Sequence, residues 1–237
     1  MTRISRVGGV RRLDLGYFVR PAADTGTGHA RVEPVYGYFV SHPELTVVFD
    51  TGIGAADPET EAHYQPRRRP FDLACAEVGS SIEAIDVVVN SHLHFDHCGA
   101  NPALAGRRIV VQRAELEAAR GRNYTFPELV DFDGAIYEPV DGEAEIADGL
   151  VVVPTPGHSP GHQSLLVQAR DGTLLVAGQA TDFASQYASA HLARRSSDEV
   201  GRTLVAWPDW LDRIEQFDPA RVVFAHDGAT FSPYWVW

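Results

Sequence analysis

The heptapeptide Ser-His-Leu-His-Phe-Asp-His at 91–97 places three histidines and one aspartate within six residues. It directly follows Ile85–Asn90, whose run of valines shows no polar alternation and predicts a strand buried on both faces. In an extended segment, residues spaced by two point to the same side, so His92, His94 and Asp96 share one direction. The last histidine takes another direction, and one short segment can therefore serve two metals.

A metal site explains this crowding of polar side chains better than a structural role does. Imidazole and carboxylate are the ligands expected for zinc and similar divalent ions. Desolvating four such groups costs free energy unless a metal compensates for it. Two further histidines follow predicted strands, His158 in Thr-Pro-Gly-His and His226 in Phe-Ala-His-Asp. Four histidines are not grouped with other potential metal ligands and are interpreted as structural residues: His29, His42, His63 and His191.

The bulk composition excludes several classes of protein. A chain of 237 residues with 44% hydrophobic and 22% charged residues predicts one soluble globular domain covering residues 1–237. The net charge of −12 argues against nucleic acid or an anionic membrane as the main partner. Two cysteines imply no disulfide framework, and neither a signal peptide nor a membrane span is recognised. We expect a cytoplasmic protein.

The predicted elements give strands and helices in both halves of the chain, which indicates an α+β protein with packed sheets and outer helices. The order is an opening strand meander, a helix, the buried strand before the histidines, and then a similar second half. The predicted strands are Gly16–Arg20, Val35–Ser41, Leu45–Asp50, Ile85–Asn90, Arg108–Gln112, Leu150–Pro154, Ser164–Ala169, Leu174–Ala177 and Arg221–Ala225. The predicted helices are Phe71–Val78, Arg113–Arg120 and Leu204–Phe217.

The histidine motif, His158 and His226 together resemble the metal-binding motif of metallo-β-lactamase-fold hydrolases. The resemblance covers nearly the whole chain and is greatest to N-acyl-homoserine lactonases, the quorum-quenching enzymes. Supporting stretches are Val48–Gly52, Val111–Glu117, Thr155–Ser164 and Phe224–Asp227. The fold that the resemblance implies is a four-layer αββα sandwich with the site at one edge of its two sheets.

The resemblance also implies two sets of metal ligands. One metal would be held by His92, His94 and His158, and a second by Asp96, His97 and His226. Asp50 would lie behind the first set and orient a ligand imidazole, or would be only a turn residue. His162 resembles a structural neighbour of the site and not a ligand. The implied cofactor is Zn²⁺, as one ion or two, with other divalent metals as alternatives.

Gln179 departs from the family pattern, which places a metal-bridging aspartate at this position. An amide oxygen is neutral and bridges two cations poorly, so we expect the site to be mononuclear or unequally loaded. Asp182, three residues later, falls where the lactonases carry a tyrosine that touches the substrate. It is interpreted as a displaced ligand, as a catalytic polar group facing the substrate, or as a loop aspartate that caps the next segment.

The implied reaction is attack of metal-bound hydroxide on the carbonyl of a lactone or similar ester, with Asp96 accepting or orienting the proton. The expected partner is a small N-acyl-homoserine lactone-like substrate with an apolar tail. Four aromatic residues are expected either in the tail pocket or in the ordinary core, namely Tyr124, Phe126, Phe183 and Tyr187.

Two alternatives stay open at this stage. One is a thioesterase, another esterase or a secondary-metabolite hydrolase of the same fold, with the same ligands and a different pocket. The other is a non-catalytic protein that binds a metal or ligand on a degenerate site, which Gln179 would permit. A di-iron redox role is disfavoured by His94, where those relatives carry glutamate, and a nuclease role by the acidic charge balance.

Overall fold

Twelve β-strands divide between two sheets in the computed structural model, which describes residues 8–233. Seven strands form the first sheet, in the spatial order fourth, first, second, third, fifth, sixth, seventh. The first three pair antiparallel, whereas the third, fifth, sixth and seventh run parallel. In chain order they are β1 (Gly9–Arg20), β2 (Arg31–Ser41), β3 (Thr46–Phe49), β4 (Arg67–Arg68), β5 (Val87–Val89), β6 (Arg108–Gln112) and β7 (Ile136–Val140).

The second sheet has five strands, and its last strand lies at one edge, parallel to its neighbour. The other neighbours pair antiparallel, including a tight hairpin in which Ala169 faces Gly172. The spatial order is β12-β11-β10-β9-β8, for β8 (Ala144–Ala147), β9 (Leu150–Pro154), β10 (Gln163–Ala169), β11 (Gly172–Val176) and β12 (Pro219–Val223).

The two sheets pack face to face, and helices cover their outer faces. One buried cluster joins valines and leucines of both sheets, among them Val89 and Val176. Separate clusters join the outer face of the first sheet to Phe71 and that of the second sheet to Trp210. Each fully buried Val or Leu contributes about 1.5–3 kcal/mol to the free energy of folding. The packed layers therefore supply the stability of the fold, and the loops at their ends do not have to contribute to it. The predicted αββα sandwich is confirmed.

Six α-helices complete the described part of the chain, together with two short 3₁₀ turns at Ile82–Ala84 and Asn101–Leu104. No helix within residues 8–233 is both long and apolar enough to cross a membrane. The helices are α1 (Pro58–Tyr64), α2 (Phe71–Glu77), α3 (Arg113–Ala119), α4 (Pro127–Val130), α5 (Ala184–Val200) and α6 (Trp210–Glu215).

The sequence prediction was wrong about the helices between β11 and β12. The 17-residue helix α5 was not predicted because it is rich in serine and buries only Tyr187 and Ser197, so it carries no clear apolar period. The helix predicted over Leu204–Phe217 is confined to α6, since Pro208 cannot lie in a helix interior. Strands β1 and β2 are also longer than the predicted Gly16–Arg20 and Val35–Ser41.

Candidate metal centre

The candidate ligands lie on loops that leave the ends of strands at one edge of the sandwich. The loop after β5 carries His92 through His97, while His158 follows β9 and His226 follows β12. Backbone and side-chain bonds join the two sheets here, since Gln163 donates its N–H to the Ser91 carbonyl at 2.8 Å and its amide to the Asn90 carbonyl at 2.9 Å. The sheets therefore fix the separation of loops that are far apart in sequence.

The first candidate set consists of three histidine nitrogens that face one another. His92 Nε2 lies 3.0 Å from His94 Nδ1, which lies 3.1 Å from His158 Nε2. Ligand nitrogens about 2.0–2.1 Å from a tetrahedral zinc would lie about 3.3 Å apart, so the set is close to the required size. Burial lowers the pKa of His92, and burial together with His94 lowers that of His158 to about 3. The imidazoles are thus held in the neutral form that binds metals.

The second candidate set consists of Asp96, His97 and His226, all of them buried. Asp96 Oδ2 lies 3.5 Å from Nε2 of each of the two histidines, and those two nitrogens are 3.1 Å apart. Burial alone would raise the pKa of Asp96, but the surrounding histidines lower it, so the carboxylate is ionised. One carboxylate and two imidazoles make a donor set suited to zinc.

The donor chemistry of the second set fits a divalent cation. In the neutral rings, His97 donates its Nδ1–H to Asp50 at 2.8 Å, and His226 donates its Nδ1–H to the Pro34 carbonyl at 2.8 Å. The Nε2 atoms of both rings then present lone pairs to each other across 3.1 Å. Either a proton on His97 or a cation bound by both nitrogens removes this repulsion, and the six side chains of the two sets would hold the metal or metals.

Asp50 supports the second set, whereas the resemblance implied that it lies behind the first. It has a left-handed φ of 59° at the end of β3, which turns its carboxylate toward the loop after β5. Oδ1 accepts the Ser91 N–H and Oδ2 accepts the Ser91 hydroxyl, both at 2.7 Å, beside the bond from His97. The Ser91 hydroxyl lies 3.0 Å from His92 Nδ1, so Asp50 reaches the first set only through it.

His162 belongs to neither set, as expected, because both of its ring nitrogens are occupied. Its Nδ1 lies 2.8 Å from the Thr155 hydroxyl and 3.1 Å from the Thr155 carbonyl, while Nε2 accepts the Gln179 N–H at 3.0 Å. It therefore holds the backbone at Gln179 beside the site. The other four histidines also lie outside both sets, for example His63 beside Asp24 and His191 beside Glu215.

Gln179 is buried and connects the second set to a cluster of charged residues. Burial alone lowers the pKa of His97, but Asp96, Asp50 and a hydrogen bond with the Gln179 side chain raise it overall. The Gln179 amide donates to Asp182 Oδ1 at 3.0 Å. The amide thus lies beside the two sets but adds no negative charge to them.

Asp182 lies among charged residues and does not line the cavity into which the ligand sets open. It is in neither ligand set, and its Oδ2 accepts from Arg20 at 3.3 Å and from Arg31 at 3.4 Å. It does not cap α5, because Asp227 accepts the Ala184 N–H there. The two arginines hold Asp182 away from the ligand sets, so the displaced-ligand and capping interpretations do not match its position.

The candidate sets open into a cavity of about 870 Å³. His94, Asp96 and His158 line it, together with Tyr124 and Phe126 from the expected pocket. Phe18, Tyr64 and Phe95, which the sequence analysis did not single out, add aromatic wall, and their rings contact one another in turn at 5.7 and 5.9 Å. The cavity is large enough for a drug-sized ligand.

Phe183 and Tyr187 do not line this cavity, and of the two expected places Tyr187 takes the core. Tyr187 is fully buried and packs on Trp210 and Phe224, because α5 turns that side chain onto the second sheet. The Phe183 ring lies 4.6 Å from the guanidinium carbon of Arg31. Both positions belong to a helix start that the sequence analysis missed.

Glu115 is a further residue of the site to which the sequence analysis assigned no role. It is fully buried at the start of α3, where its two oxygens accept from Leu93 N–H at 2.8 Å and from the Ser159 hydroxyl at 2.6 Å. The Tyr124 hydroxyl donates to it as well. Glu115 therefore ties both loops of the first set to the cavity wall. Its position in the quoted stretch Val111–Glu117 was the available signal.

Comparisons with known proteins agree with this geometry. The model of the metallo-beta-lactamase superfamily matches residues 30–226. An N-acyl homoserine lactonase of Bacillus cereus is 33% identical over 159 residues, covering 60% of this chain and 62% of the relative. The N-acyl homoserine lactonase AttM of Azorhizobium caulinodans is 33% identical over 177 residues, covering 64% and 66%. The chain thus spans less than two thirds of the length of these curated relatives.

Solved structures show the same fold. An N-acyl homoserine lactone hydrolase with N-hexanoyl-L-homoserine bound at its catalytic metal center has a TM-score of 0.71 and 22% identity, covering 94% of each chain. AidC, a dizinc quorum-quenching lactonase, has a TM-score of 0.63 and 16% identity, covering 95% of this chain and 89% of its own. With the family match over residues 30–226, these similarities establish that the chain belongs to the metallo-β-lactamase superfamily.

Proposed function

We propose that this protein is a zinc-dependent hydrolase that opens a lactone or a similar carboxylic ester, with N-acyl-homoserine lactone-like molecules as the substrate class. The observation that carries the proposal is the pair of ligand sets that opens into one aromatic-walled cavity. The 33% identity to N-acyl homoserine lactonases supports the choice of lactones.

The bound metal would lower the pKa of a water molecule and polarise the carbonyl that is attacked. The residues of the chain supply the remaining functions. Asp96 faces the cavity as an ionised carboxylate and can accept or orient the proton of the attacking water. The aromatic wall of Phe18, Tyr64 and Phe95 would bind the apolar tail and exclude water from the reacting group.

Gln179 makes the two ligand sets unequal in this proposal. A carboxylate between the sets would offset the repulsion of two divalent cations, and a neutral amide does not. Gln179 also uses its amide to hold Asp182, which keeps that carboxylate with the arginines. We therefore propose that one ion is held tightly and that the second is weak or absent.

A substrate panel tests the reaction. Zinc-loaded protein is assayed with N-hexanoyl-homoserine lactone, γ-butyrolactone, an ethyl ester, a thioester and a lactam. We expect turnover of the acyl lactone above all others, its loss after chelation, and its return with zinc. Turnover of the thioester or the lactam without any lactone hydrolysis would contradict the substrate class.

The second candidate is a non-catalytic metal-binding or ligand-binding protein, which the substitution at Gln179 favours. It predicts zinc binding without turnover of any member of the panel. The six candidate ligands, brought together as two sets of three, favour the enzyme over this alternative.

A further inference from the structure

Arg20 lies on the cavity wall beside the candidate metal centre. Residues spaced by two on a strand point to the same face, and β1 directs both Phe18 and Arg20 into the cavity. Asp96 and Gln179 line the same cavity. A guanidinium group therefore shares the space in which the proposed substrate would bind.

A second arginine faces Arg20 directly, since Arg20 pairs with Arg31 in the register of β1 and β2. Like charges at directly opposed positions destabilise a sheet. Two carboxylates, Glu33 and Asp182, balance them here, and Glu33 is almost completely buried. The four residues form a neutral cluster that does not require any ligand for its charge balance.

The two arginines use their donors very differently. Arg31 donates from Nε to Glu33 at 2.5 Å and from Nη2 to Asp182, and it does not line the cavity. Arg20 donates only from Nη1, over long distances of 3.3 Å to Asp182 and 3.4 and 3.5 Å to Glu33. Its Nε and Nη2 have no acceptor within the described residues 8–233. Arg31 thus holds the carboxylates, and Arg20, which lines the cavity, retains two adjacent donors.

Two adjacent guanidinium donors match the two oxygens of a carboxylate, and this bidentate pairing is among the strongest charge-assisted hydrogen bonds. Two further arginines line the cavity, of which Arg120 is paired with Asp131 and Arg122 has no ion-pair partner within residues 8–233. We propose that Arg20 is a binding residue for a carboxylate group in the cavity.

Two sources can supply this carboxylate. Hydrolysis of any ester or lactone releases one, and a substrate can also carry an acidic group of its own. The first source rests on the proposed function, whereas binding of a carboxylate as such does not. The experiment therefore measures binding separately from turnover.

Calorimetric titration of the zinc-loaded protein with hexanoate and with hexanamide tests the binding. We expect Arg20→Gln to weaken hexanoate binding by about 10-fold or more and to leave hexanamide binding nearly unchanged. Arg20→Lys keeps the positive charge but not the two adjacent guanidinium donors, and it should give an intermediate loss of hexanoate affinity. Arg31→Gln is the matched control, because Arg31 contacts the same two carboxylates from outside the cavity. Any direct binding of hexanoate to the zinc ion contributes to the affinity of every variant, so it does not account for a difference between them.

Equal loss of hexanoate affinity in Arg20→Gln and Arg31→Gln would overturn the proposal, because it would mean that Arg20 only supports Glu33 and Asp182. A wild-type protein that does not prefer hexanoate to hexanamide would also overturn it. If no ester or lactone is hydrolysed, the proposed function fails, and the titration still decides the role of Arg20.

Kinetics then separate the two sources of the carboxylate. If the substrate carries it, Arg20→Gln lowers kcat/KM for monoethyl adipate about 10-fold more than for diethyl adipate. If the product carries it, Arg20→Gln instead raises the inhibition constant of hexanoate against a neutral lactone. Either result supports carboxylate binding, whereas no change in either measurement contradicts it.

Discussion

The two candidate ligand sets differ in how they meet the cavity and in how the protein supports them. Two residues of the first set, His94 and His158, line the cavity, whereas Asp96 is the only such residue of the second. The second set is buried, and Asp50 and the Pro34 carbonyl fix the orientation of its two imidazoles. We therefore infer that the proposed substrate would meet the first set, whereas the second depends on its hydrogen-bonded surroundings.

Removing one ligand from each set in turn should have the largest effect on turnover. The two losses should differ, because the two sets differ in how they meet the cavity. We expect His158→Ala to lower lactone turnover by more than about 100-fold, because the set that faces the cavity loses its metal. We expect His226→Ala to lower it less, because the first set stays intact. Turnover and zinc content are measured together for both variants. The reverse order of losses would contradict the assignment of the first set to the substrate.

Asp50→Asn tests the support of the second set. The substitution removes the charge that orients His97, and such partners of metal ligands are worth about 10–100-fold in metal affinity or activity. We expect zinc affinity to fall within that range, as measured by competition with a chelating dye. Ser91→Ala is the control, since it removes the hydroxyl that joins Asp50 to His92 at 3.0 Å and lies 3.4 Å from His97, while the bond between His97 and Asp50 is kept. Equal losses in the two variants would show that Asp50 does not act mainly on the second set.

Glu115→Gln tests what holds the first set in place and should have the smallest effect on chemistry. An amide group in place of one oxygen cannot accept from the donors that now face it, which costs about 1–3 kcal/mol of unfolding free energy. We expect a lower Tm and a modest fall in turnover. Glu117→Gln, on the exposed side of the same helix, should leave both unchanged. A variant at Glu115 with wild-type Tm would argue against the role assigned to its contacts.

The sequence could predict the candidate ligands because their signal is local. The spacing by two was wrong about Asp96, because the chain turns at His94 and Asp96 groups with His97. Three histidines and an aspartate within six residues are visible without a structure, and His158 and His226 follow strands that are themselves recognisable. The resemblance supplied the way in which these residues divide, and the αββα layers followed from it. The structure brings all six side chains together in that division.

The surroundings of the ligands could not be predicted because they depend on register and on turns. Arg20 meets Arg31 only through the pairing of β1 with β2, which an irregularity between Asp14 and Tyr17 shifts. Glu115 gains its partners from loops far away in sequence. Helix α5 has too few apolar residues in a helical period to be predicted from the sequence, so the direction of the Tyr187 side chain could not be predicted either.

The most direct test of the account is the number of zinc ions held per chain by the wild-type protein and by Gln179→Asp, measured with lactone turnover. We predict fewer than two tightly held ions in the wild type and two in the variant, because the new carboxylate offsets the repulsion between the cations. We also expect chelation to abolish turnover in both. Two tightly held ions in the wild type, or turnover that survives chelation, would contradict the proposed metal centre.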